Sequence, residues 1–194
     1  MLKSSAGRLH RETILGIDPG SLVTGWGLVE LEGRRLRCHS HGVIGTSPTV
    51  SLAERLSQIY RGLCEVIEHH QPAVVSLEKI FFSRNVQSAL MLGQARGVAV
   101  LAAAEHRVGI AEYSAAEIKL AVVGYGRATK DQVQKMVSAL LTVRGAMRAD
   151  AADALAAAIC HIHRRSFPAA TVESLNGRAN KTSWRDCVEL AAKR

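Results

Sequence analysis

Two short apolar runs of this sequence each end in an acidic residue. Thr13-Ile-Leu-Gly-Ile-Asp18 is too short for an ordinary helix and is stopped by Pro19-Gly20, and Ala73-Val-Val-Ser-Leu-Glu78 has the same character. Such runs predict buried strands that end in turns. A carboxylate beside an apolar strand is costly unless it is paired, hydrogen-bonded or bound to a cation, and strand ends that open onto a cleft commonly carry catalytic groups. The alternative for Asp18 is an Asx turn that only shapes the chain.

A second pair of acids, Asp150 and Asp153, opens the Ala-rich segment Ala149-Asp-Ala-Ala-Asp-Ala-Leu-Ala. A spacing of three residues puts both carboxylates on one face of a helix. Their alternative role is in capping, because a helix N-terminus favours negative charge. The alanines favour the catalytic interpretation, since they let this end of the helix lie close to the sheet from which Asp18 and Glu78 emerge.

The predicted chemistry follows from the number and type of these four groups. Four neighbouring carboxylates repel one another strongly unless a divalent cation is present. With no Cys or His at ligand spacing, the set selects a hard cation, Mg²⁺, with Mn²⁺ as a substitute. Two such ions would activate a water and stabilise the leaving oxygen in an attack on a phosphodiester. We expect Asp18 to bridge both ions, with Glu78, Asp150 and Asp153 holding them from the sides.

The composition favours a nucleic-acid-binding globular protein. The chain has 194 residues, of which 47% are hydrophobic and 22% charged, which is ordinary for a globular domain. Its 25 Lys and Arg against 17 Asp and Glu give a net charge of +8. This surplus suggests a polyanionic partner, nucleic acid before an anionic membrane surface. The four cysteines lie far apart and predict free thiols in a reducing cytosol rather than disulfides or a zinc site.

The sequence predicts one domain between two tails. Residues 1–11 are polar and basic, which predicts a flexible arm and no signal peptide. The longest apolar stretch, residues 86–104, is interrupted by polar residues, so we expect no membrane span and a cytoplasmic protein. Residues 12–165 carry the predicted strands and helices, and residues 166–194 form a basic, partly disordered tail.

The predicted sheet begins with an antiparallel meander. Three strands follow one another with only turns between them, at residues 13–18, 24–31 and 35–44. An amphipathic helix over residues 51–70 then leads to a strand at residues 73–77, which the right-handed crossover rule makes parallel to the first. Asp18 and Glu78 thereby come to the same end of neighbouring strands. The remaining elements are a helix at 86–106, a strand at 108–113, and helices at 114–122, 131–141 and from Asp150.

Two sets of small residues predict the close approach of another segment. Gly25 and Gly27 suggest a place where another backbone, or a phosphate backbone, comes near, and their alternative role is a β-bulge. The helix at residues 86–106 carries small residues at spacings of four, at Ala89, Gly93 and Gly97. These let a second helix pack closely, either within the chain or across a two-fold dimer interface.

An aromatic segment follows Glu78 directly. Phe81 and Phe82 are adjacent there, between the cations Lys79 and Arg84. In an extended segment the two rings point in opposite directions, so both cannot enter one core. The ring outside the core is available to stack on an unpaired base, with the cations on phosphates. The alternative is one Phe that caps the core and another that is an ordinary surface residue.

A second basic segment is the flexible loop Gly124-Tyr-Gly-Arg-Ala-Thr-Lys130. It is not a dinucleotide fingerprint, because a helix precedes it and the third glycine is absent. Together with Lys119 upstream, it provides Arg127 and Lys130 as candidate phosphate contacts. The alternative is a solvated turn with ordinary surface charges.

Five short blocks of the sequence form a specific pattern when they are taken in order and with their spacing. They are Gly16-Ile-Asp-Pro-Gly-Ser21 with Thr24-Gly-Trp-Gly27, Leu77-Glu78, Leu92-Gly-Gln-Ala-Arg-Gly-Val-Ala99, Val122-Val-Gly-Tyr-Gly126, and Ala149-Asp-Ala-Ala-Asp-Ala-Leu155. The pattern resembles the RuvC family of bacterial Holliday junction resolvases. It covers roughly residues 13–163 and leaves both tails outside the match.

The resemblance implies a fold and a reaction. The fold is a ribonuclease H-like α/β domain with a mixed five-stranded sheet, a three-strand antiparallel meander plus parallel strands, and helices on both faces. The reaction is a pair of Mg²⁺-dependent nicks placed symmetrically across a four-way DNA junction by a homodimer. The products are ligatable 5′-phosphate and 3′-hydroxyl ends, and the preferred cleavage sequence is short and T-rich. The implied partners are the branch-migration proteins RuvA and RuvB.

The resemblance also implies roles for individual residues. The family's catalytic acids match Asp18, Glu78, Asp150 and Asp153. Its base-stacking aromatic matches Phe81, and its DNA-contacting lysines match Lys119 and Lys130. The family's dimer helix matches residues 86–106. Some members carry His in place of the first helix acid, where this chain has Asp150.

Two other classes of protein share part of the pattern. Sugar kinases and actin-like ATPases also begin with a Gly-Ile-Asp-x-Gly strand, but they need a second phosphate loop and an adenosine motif over a much longer chain. A junction-binding scaffold without nuclease activity fits the basic charge, but it leaves the four carboxylates unexplained. The sequence therefore favours a metal-dependent endonuclease.

Overall fold

The computed structural model describes residues 12–33, 35–79, 86–143 and 145–166, and its elements follow the predicted order. The strands are β1 (Thr13–Asp18), β2 (Val23–Glu32), β3 (Arg35–Gly45), β4 (Val74–Glu78) and β5 (Gly109–Tyr113). The helices are α1 (Leu52–His70), α2 (Val86–Glu105), α3 (Ala115–Val123), α4 (Lys130–Leu141) and α5 (Ala149–Ser166). Wherever the sequence predicts a bound, the observed element begins or ends within about one residue of it.

The five strands form one mixed sheet in the order β3-β2-β1-β4-β5. The pairs β1-β2 and β2-β3 are antiparallel, and the pairs β1-β4 and β4-β5 are parallel. Helices α3, α4 and α5 pack on one face of the sheet, and α1 and α2 pack on the other. The structure therefore confirms the predicted α/β fold class, including the meander and the parallel pairing of β4 with β1.

The two-residue period of β1 distributes its side chains between these layers. Leu15 and Ile17 are fully buried against α1 and α2, whereas Ile14 is buried among residues of α3, α4 and α5. Alternate residues of a strand share a face. Gly16 and Asp18 therefore lie on the same face as Ile14, the face that α5 covers.

Helix α5 lies directly on glycines of β1 and β2. A Cβ atom at Gly16 would stand 1.8 Å from the carbonyl oxygen of Ala154, and one at Gly25 would stand 2.1 Å from that of Asp150. A Cβ at Gly27 would meet the Leu155 side chain at 2.5 Å. The close backbone approach predicted at Gly25 and Gly27 is thus that of α5, and the bulge between β2 and β3 lies elsewhere, between Leu28 and Val29.

Helix α2 packs one side on the domain and leaves the other open. Its buried residues are four alanines, Ala95, Ala99, Ala102 and Ala103. The exposed side carries Val86, Leu90 and Leu101. Within the described residues α2 alone is long and apolar enough to cross a membrane. Its alanine side, however, belongs to the core formed with α1 and the sheet.

The predicted tails lie almost entirely outside the described residues, and the domain bounds at residues 12 and 165 stay predictions. Near these bounds, an ion pair between Arg165 and Glu12 joins the end of α5 to the segment before β1. Three of the cysteines are free thiols, as predicted, namely Cys38, Cys64 and Cys160. Cys187 lies outside the described residues.

Replacing Gly16 with alanine tests the contact between α5 and the sheet. The new methyl group would overlap the backbone of α5, so the helix must move or the strand must deform. We expect Gly16→Ala to lower the free energy of unfolding by about 1–3 kcal/mol or more, measured by urea denaturation.

The matched control is Gly45→Ala at the end of β3. Among the described residues no heavy atom lies within 4 Å of a Cβ built there, and the backbone is not left-handed, so we expect a change within about 0.5 kcal/mol. Equal stabilities for the two variants would contradict the close packing of α5.

Candidate metal and nucleic-acid site

Asp18 and Glu78 emerge side by side on the α5 face of the sheet. The parallel register pairs Gly16 with Ser76, and two residues further along each strand it brings Asp18 beside Glu78. The Ser76 hydroxyl donates a 2.7 Å hydrogen bond to the carbonyl oxygen of Ala157 on α5, which shows the face to which Ser76 points. Glu78 shares that face because side chains two apart point the same way.

The first turn of α5 brings the other two acids to this position. Asp150 lies in that first turn, and its carbonyl is the group that rests on Gly25. Gly25 is the residue of β2 that pairs with Asp18 of β1. The backbone of Asp150 is therefore next to the strand pair that carries Asp18, and Asp153 follows one turn later on the same helical face.

The electrostatics of Asp18 show that the four carboxylates share one environment. The pKa of Asp18 is raised from 3.8 to about 7, first by burial and then by repulsion from Asp153, with further repulsion from Glu78 and Asp150. The Lys130 ammonium acts in the opposite direction. Three other acids thus act on the carboxyl group of Asp18, while the roles of all four in a reaction stay predictions.

Burial and charge also raise the pKa of two further acids. The pKa of Glu78 is raised by burial and by the charge of Asp153, against the lowering effect of Lys119 and Lys130. Burial raises the pKa of Asp153, and a hydrogen bond from Lys130 opposes that change. The direction is the same for each group because desolvation and like charges both disfavour the carboxylate form.

Lys130 is the cation in closest contact with this group of acids. Its Nζ lies 2.6 Å from Oδ2 of Asp153, and the charges of Asp18 and Asp150 also favour its protonated form. Lys130 is the first residue of α4, where the side chain of Thr129 accepts from the backbone N–H of Gln132 in a capping box. The capped helix therefore fixes the backbone from which this ammonium reaches Asp153.

The donor set fits a hard divalent cation in type. All four side chains offer carboxylate oxygens, which Mg²⁺ and Mn²⁺ prefer over the nitrogen and sulfur ligands of softer metals. In the described segments, no three His, Cys, Asp or Glu side chains are drawn together closely enough to form a ligand cage. Within these segments the acids share an environment, and the direct partner of Asp153 is Lys130.

The predicted nucleic-acid contacts divide into three groups. Lys119 and Lys130 lie near the acids, since both affect the pKa of Glu78. Arg127 is exposed in the turn between α3 and α4. This position fits both a phosphate contact and an ordinary surface charge. Phe81 and Arg84 lie outside the described residues, and their contacts stay predictions.

The sequence analysis did not identify two cations near the acids as site residues. Arg148 lies 3.6 Å from the carboxylate of Asp150, and the only sequence signal is its position just before the Ala-Asp motif. Arg96 donates to the backbone carbonyl of Glu78. Its signal is a lone cation in an otherwise apolar helix, which is rarely placed there without a partner.

The raised pKa of Asp18 predicts a pH-dependent cost to folding in metal-free buffer. Because the folded pKa lies above the unfolded one, the contribution of Asp18 to stability is fully present below about pH 3.8 and is lost as the pH rises through 7. Asp18→Asn removes the charge, so with EDTA present we expect the variant to exceed the wild type in stability by about 2–4 kcal/mol at pH 8. The difference should shrink steadily as the pH falls from 7 toward 5 in urea denaturation.

Asp131→Asn is the control for that experiment. Asp131 is an exposed acid on α4, paired with Lys135 four residues on, and such surface pairs contribute little to stability. Its difference from the wild type should stay nearly constant between pH 5 and 8. A constant difference for Asp18→Asn as well would show that Asp18 is an ordinary surface carboxylate.

Comparison with known proteins identifies the family. The family model described as crossover junction endodeoxyribonuclease RuvC matches residues 14–161. A protein of that name from Legionella pneumophila (strain Lens) is 56% identical over 153 residues, which cover 79% of this chain and 88% of the relative. Another from Pelobacter propionicus is 47% identical over 173 residues, which cover 89% and 97% of the two chains.

Solved structures agree with the sequence match. The structure described as T. thermophilus RuvC in complex with Holliday junction substrate superposes with a TM-score of 0.75 at 34% identity, covering 79% of this chain and 94% of that one. The yeast mitochondrial Holliday junction resolvase, at 14% identity and a TM-score of 0.58, shares the fold. These neighbours confirm the predicted ribonuclease H-like architecture. On sequence and structure together, the chain belongs to the RuvC family of crossover junction endodeoxyribonucleases.

Proposed function

We propose that this protein resolves Holliday junctions by metal-dependent hydrolysis of DNA phosphodiesters at the site formed by Asp18, Glu78, Asp150 and Asp153. The observation that carries the proposal is the seat of α5 on Gly25, which places the helix turn that carries Asp150 beside the strand pair that carries Asp18. The raised pKa of the partly buried Asp18 agrees with this arrangement. A cluster of acids whose pKa values are raised in this way is typical of a functional site. Membership of a family of metal-dependent endonucleases supports the same conclusion.

The four carboxylates have a defined part in the proposed reaction. They would hold Mg²⁺, for which Mn²⁺ can substitute, with two ions per site and Asp18 shared between them. Bound there, the cation supplies charge stabilisation and a more acidic water. The oxygen of a water forms a new bond to phosphorus, and the bond from phosphorus to the 3′ oxygen breaks. The attacking water gives up one proton to solvent and the departing 3′ oxygen takes one up, so the products are a 5′-phosphate and a 3′-hydroxyl.

Basic groups around the acids would hold the substrate. Lys119 and Lys130 lie near Glu78, and with Arg127 they would present positive charge to the phosphates of the DNA backbone. We propose that Phe81 stacks on an unpaired base at the junction and that Arg84 contacts its backbone. The net charge of +8 supports a polyanionic substrate. From the family resemblance we also propose RuvA and RuvB as partners. The same resemblance leads us to propose a cytoplasmic location.

A homodimer supplies the two active sites that paired, symmetric nicks require. We propose that the exposed side of α2 forms its interface. One stripe of that helix contains Val86, Leu90, Gly93, Gly97 and Leu101, at spacings of three and four residues. Nothing lies within 4 Å of a Cβ built at Gly93 or Gly97, so neither glycine is needed for packing within the described part of the chain. Small residues flanked by exposed leucines fit a second copy of the helix.

Replacing Asp18 with asparagine separates cleavage from binding. Asparagine keeps the size of the side chain and removes its charge, so cation binding should fail while the basic surface remains. We expect junction affinity within about threefold of the wild type and nicking reduced by at least about 10³-fold, measured with a labelled synthetic four-way junction. EDTA should have the same effect on the wild type.

Asp131→Asn on α4 serves again as the matched control and should cut normally. Two outcomes would refute the proposed site or reaction. Unchanged nicking by Asp18→Asn would show that the acids do not form the active site. Tight junction binding by the wild type without cleavage at any Mg²⁺ or Mn²⁺ concentration would favour the scaffold function instead.

Replacing Leu90 with glutamate tests the dimer interface. Leu90 is 64% exposed in the described structure, so the change should leave the fold stable but place a charge in the proposed interface, where like charges from the two copies meet. We expect a monomer by light scattering and loss of paired nicks in one junction. Leu22→Glu, at an exposed position outside α2, should leave the mass unchanged. A dimeric Leu90→Glu protein would place the interface elsewhere.

A further inference from the structure

Arg96 is a nearly buried cation on an apolar helix. Its side chain is 14% exposed, and its neighbours on α2 include the fully buried Ala95 and Ala99. A guanidinium removed from water is costly unless its N–H groups have acceptors. The positions of those acceptors therefore indicate what the Arg96 guanidinium does on α2.

The two acceptors lie at the ends of two neighbouring strands. Nη1 of Arg96 donates a 2.7 Å hydrogen bond to the backbone carbonyl of Glu78, the last residue of β4. Nη2 donates to the carboxylate of Glu112 on β5. Glu112 pairs with Leu77 in the β4-β5 register, so one guanidinium joins α2 to both strands at the edge where the acids emerge.

The peptide group after Glu78 is held from both sides. Arg96 binds its carbonyl oxygen, and its N–H, which belongs to Lys79, donates a 2.7 Å hydrogen bond to the carbonyl oxygen of Tyr113. With both polar atoms of this peptide engaged, the direction in which the chain leaves β4 is fixed. The Glu78 side chain branches from the Cα atom at this point.

We infer that Arg96 is a positioning residue that holds Glu78 in the orientation required for cation binding and cleavage. The inference deepens the proposed function and rests on it, since Glu78 matters to the reaction only if the four acids are the active site. Arg96 lies on α2, whose exposed side we propose as the dimer interface. Its contacts therefore also link the placement of α2 to the geometry of the catalytic acids.

The two contacts of Arg96 differ in importance. The Glu112 side chain is 41% exposed, and an ion pair with such a partner is weakened by solvent and contributes little to stability. The bond to the Glu78 carbonyl acts directly on the backbone of a proposed catalytic acid, so it is the contact on which the position of Glu78 depends. Removing it should disturb the position of Glu78 more than the stability of the domain.

The experiment compares Arg96→Met with Arg96→Lys and Glu112→Gln in the full chain. Methionine keeps apolar volume and loses every donor, lysine can still offer one donor to the carbonyl, and glutamine keeps an acceptor for Arg96. Single-turnover nicking of a saturating four-way junction is measured as a function of Mg²⁺, with junction affinity, dimer mass and melting temperature recorded alongside. Arg61→Met is the control, since Arg61 is exposed and contacts only its own helix at Ser57 among the described residues.

We expect Arg96→Met to nick about 10–100-fold more slowly at saturating DNA and to need several-fold more Mg²⁺. Its junction affinity and dimer mass should match the wild type. Arg96→Lys should recover part of the rate, Glu112→Gln should stay within about threefold of the wild type, and Arg61→Met should be unchanged. The same shift in the Mg²⁺ requirement should be seen without DNA, as a higher Mg²⁺ concentration for half-maximal thermal stabilisation.

The contrary results are distinct. If Arg96→Met lowers the melting temperature but leaves the Mg²⁺ midpoint and the nicking rate unchanged below that temperature, Arg96 only stabilises the fold and the inference is wrong. An equal rate loss in Glu112→Gln would transfer the role to the ion pair and would also overturn it. Failure of the wild type to nick a junction would refute the proposed function itself, whatever the Arg96 variants do.

Discussion

The site depends on how closely α5 can approach the sheet. Gly16 and Gly25 leave no side chain between the strands and the helix, so carbonyls of α5 rest where Cβ atoms would otherwise stand. The fully buried alanines of α5 complete the contact. A helix packed on a sheet at ordinary side-chain distance would hold Asp150 and Asp153 farther from Asp18. The small residues of both surfaces are therefore as necessary to the site as the acids.

Bringing acids together in this way has an electrostatic cost. Asp18 is partly buried and lies within electrostatic reach of three other carboxylates, and its pKa rises to about 7 as a result. Lys130 offsets part of the repulsion through its contact with Asp153. A site that resists the ionisation of its own ligands gains most from a divalent cation, because the cation removes both the desolvation cost and the like-charge repulsion. If the proposed site binds a cation, folding and cation binding are linked at Asp18.

The fold could be predicted from the sequence because its signals are local. Short apolar runs, turn residues and the helical period of residues 51–70 fix the elements, and the crossover rule fixes the direction of β4 relative to β1. The convergence of the acids followed from the same topology together with the family pattern. The hydrogen bond from Arg96 to Glu78 could not be predicted, because it joins a side chain on α2 to a backbone carbonyl on β4. Backbone acceptors leave no mark in the sequence, whereas a partner side chain would.

The close packing of α5 also explains why the two glycines of β2 had two possible interpretations. A glycine in a strand marks close approach without naming the approaching group. In this fold the group is the start of α5, which carries half of the acids. Residues that look structural in the sequence thus decide where the acids of the proposed site lie.

The central claim is that four acids from distant parts of the chain hold divalent cations in one place. Anomalous scattering from a crystal of the wild-type protein grown with Mn²⁺ measures this directly. The account predicts anomalous peaks within coordination distance of Asp18, with Glu78, Asp150 and Asp153 as the other protein ligands. Strong peaks that involve other side chains, with Asp18 making no contact to metal at saturating Mn²⁺, would contradict it.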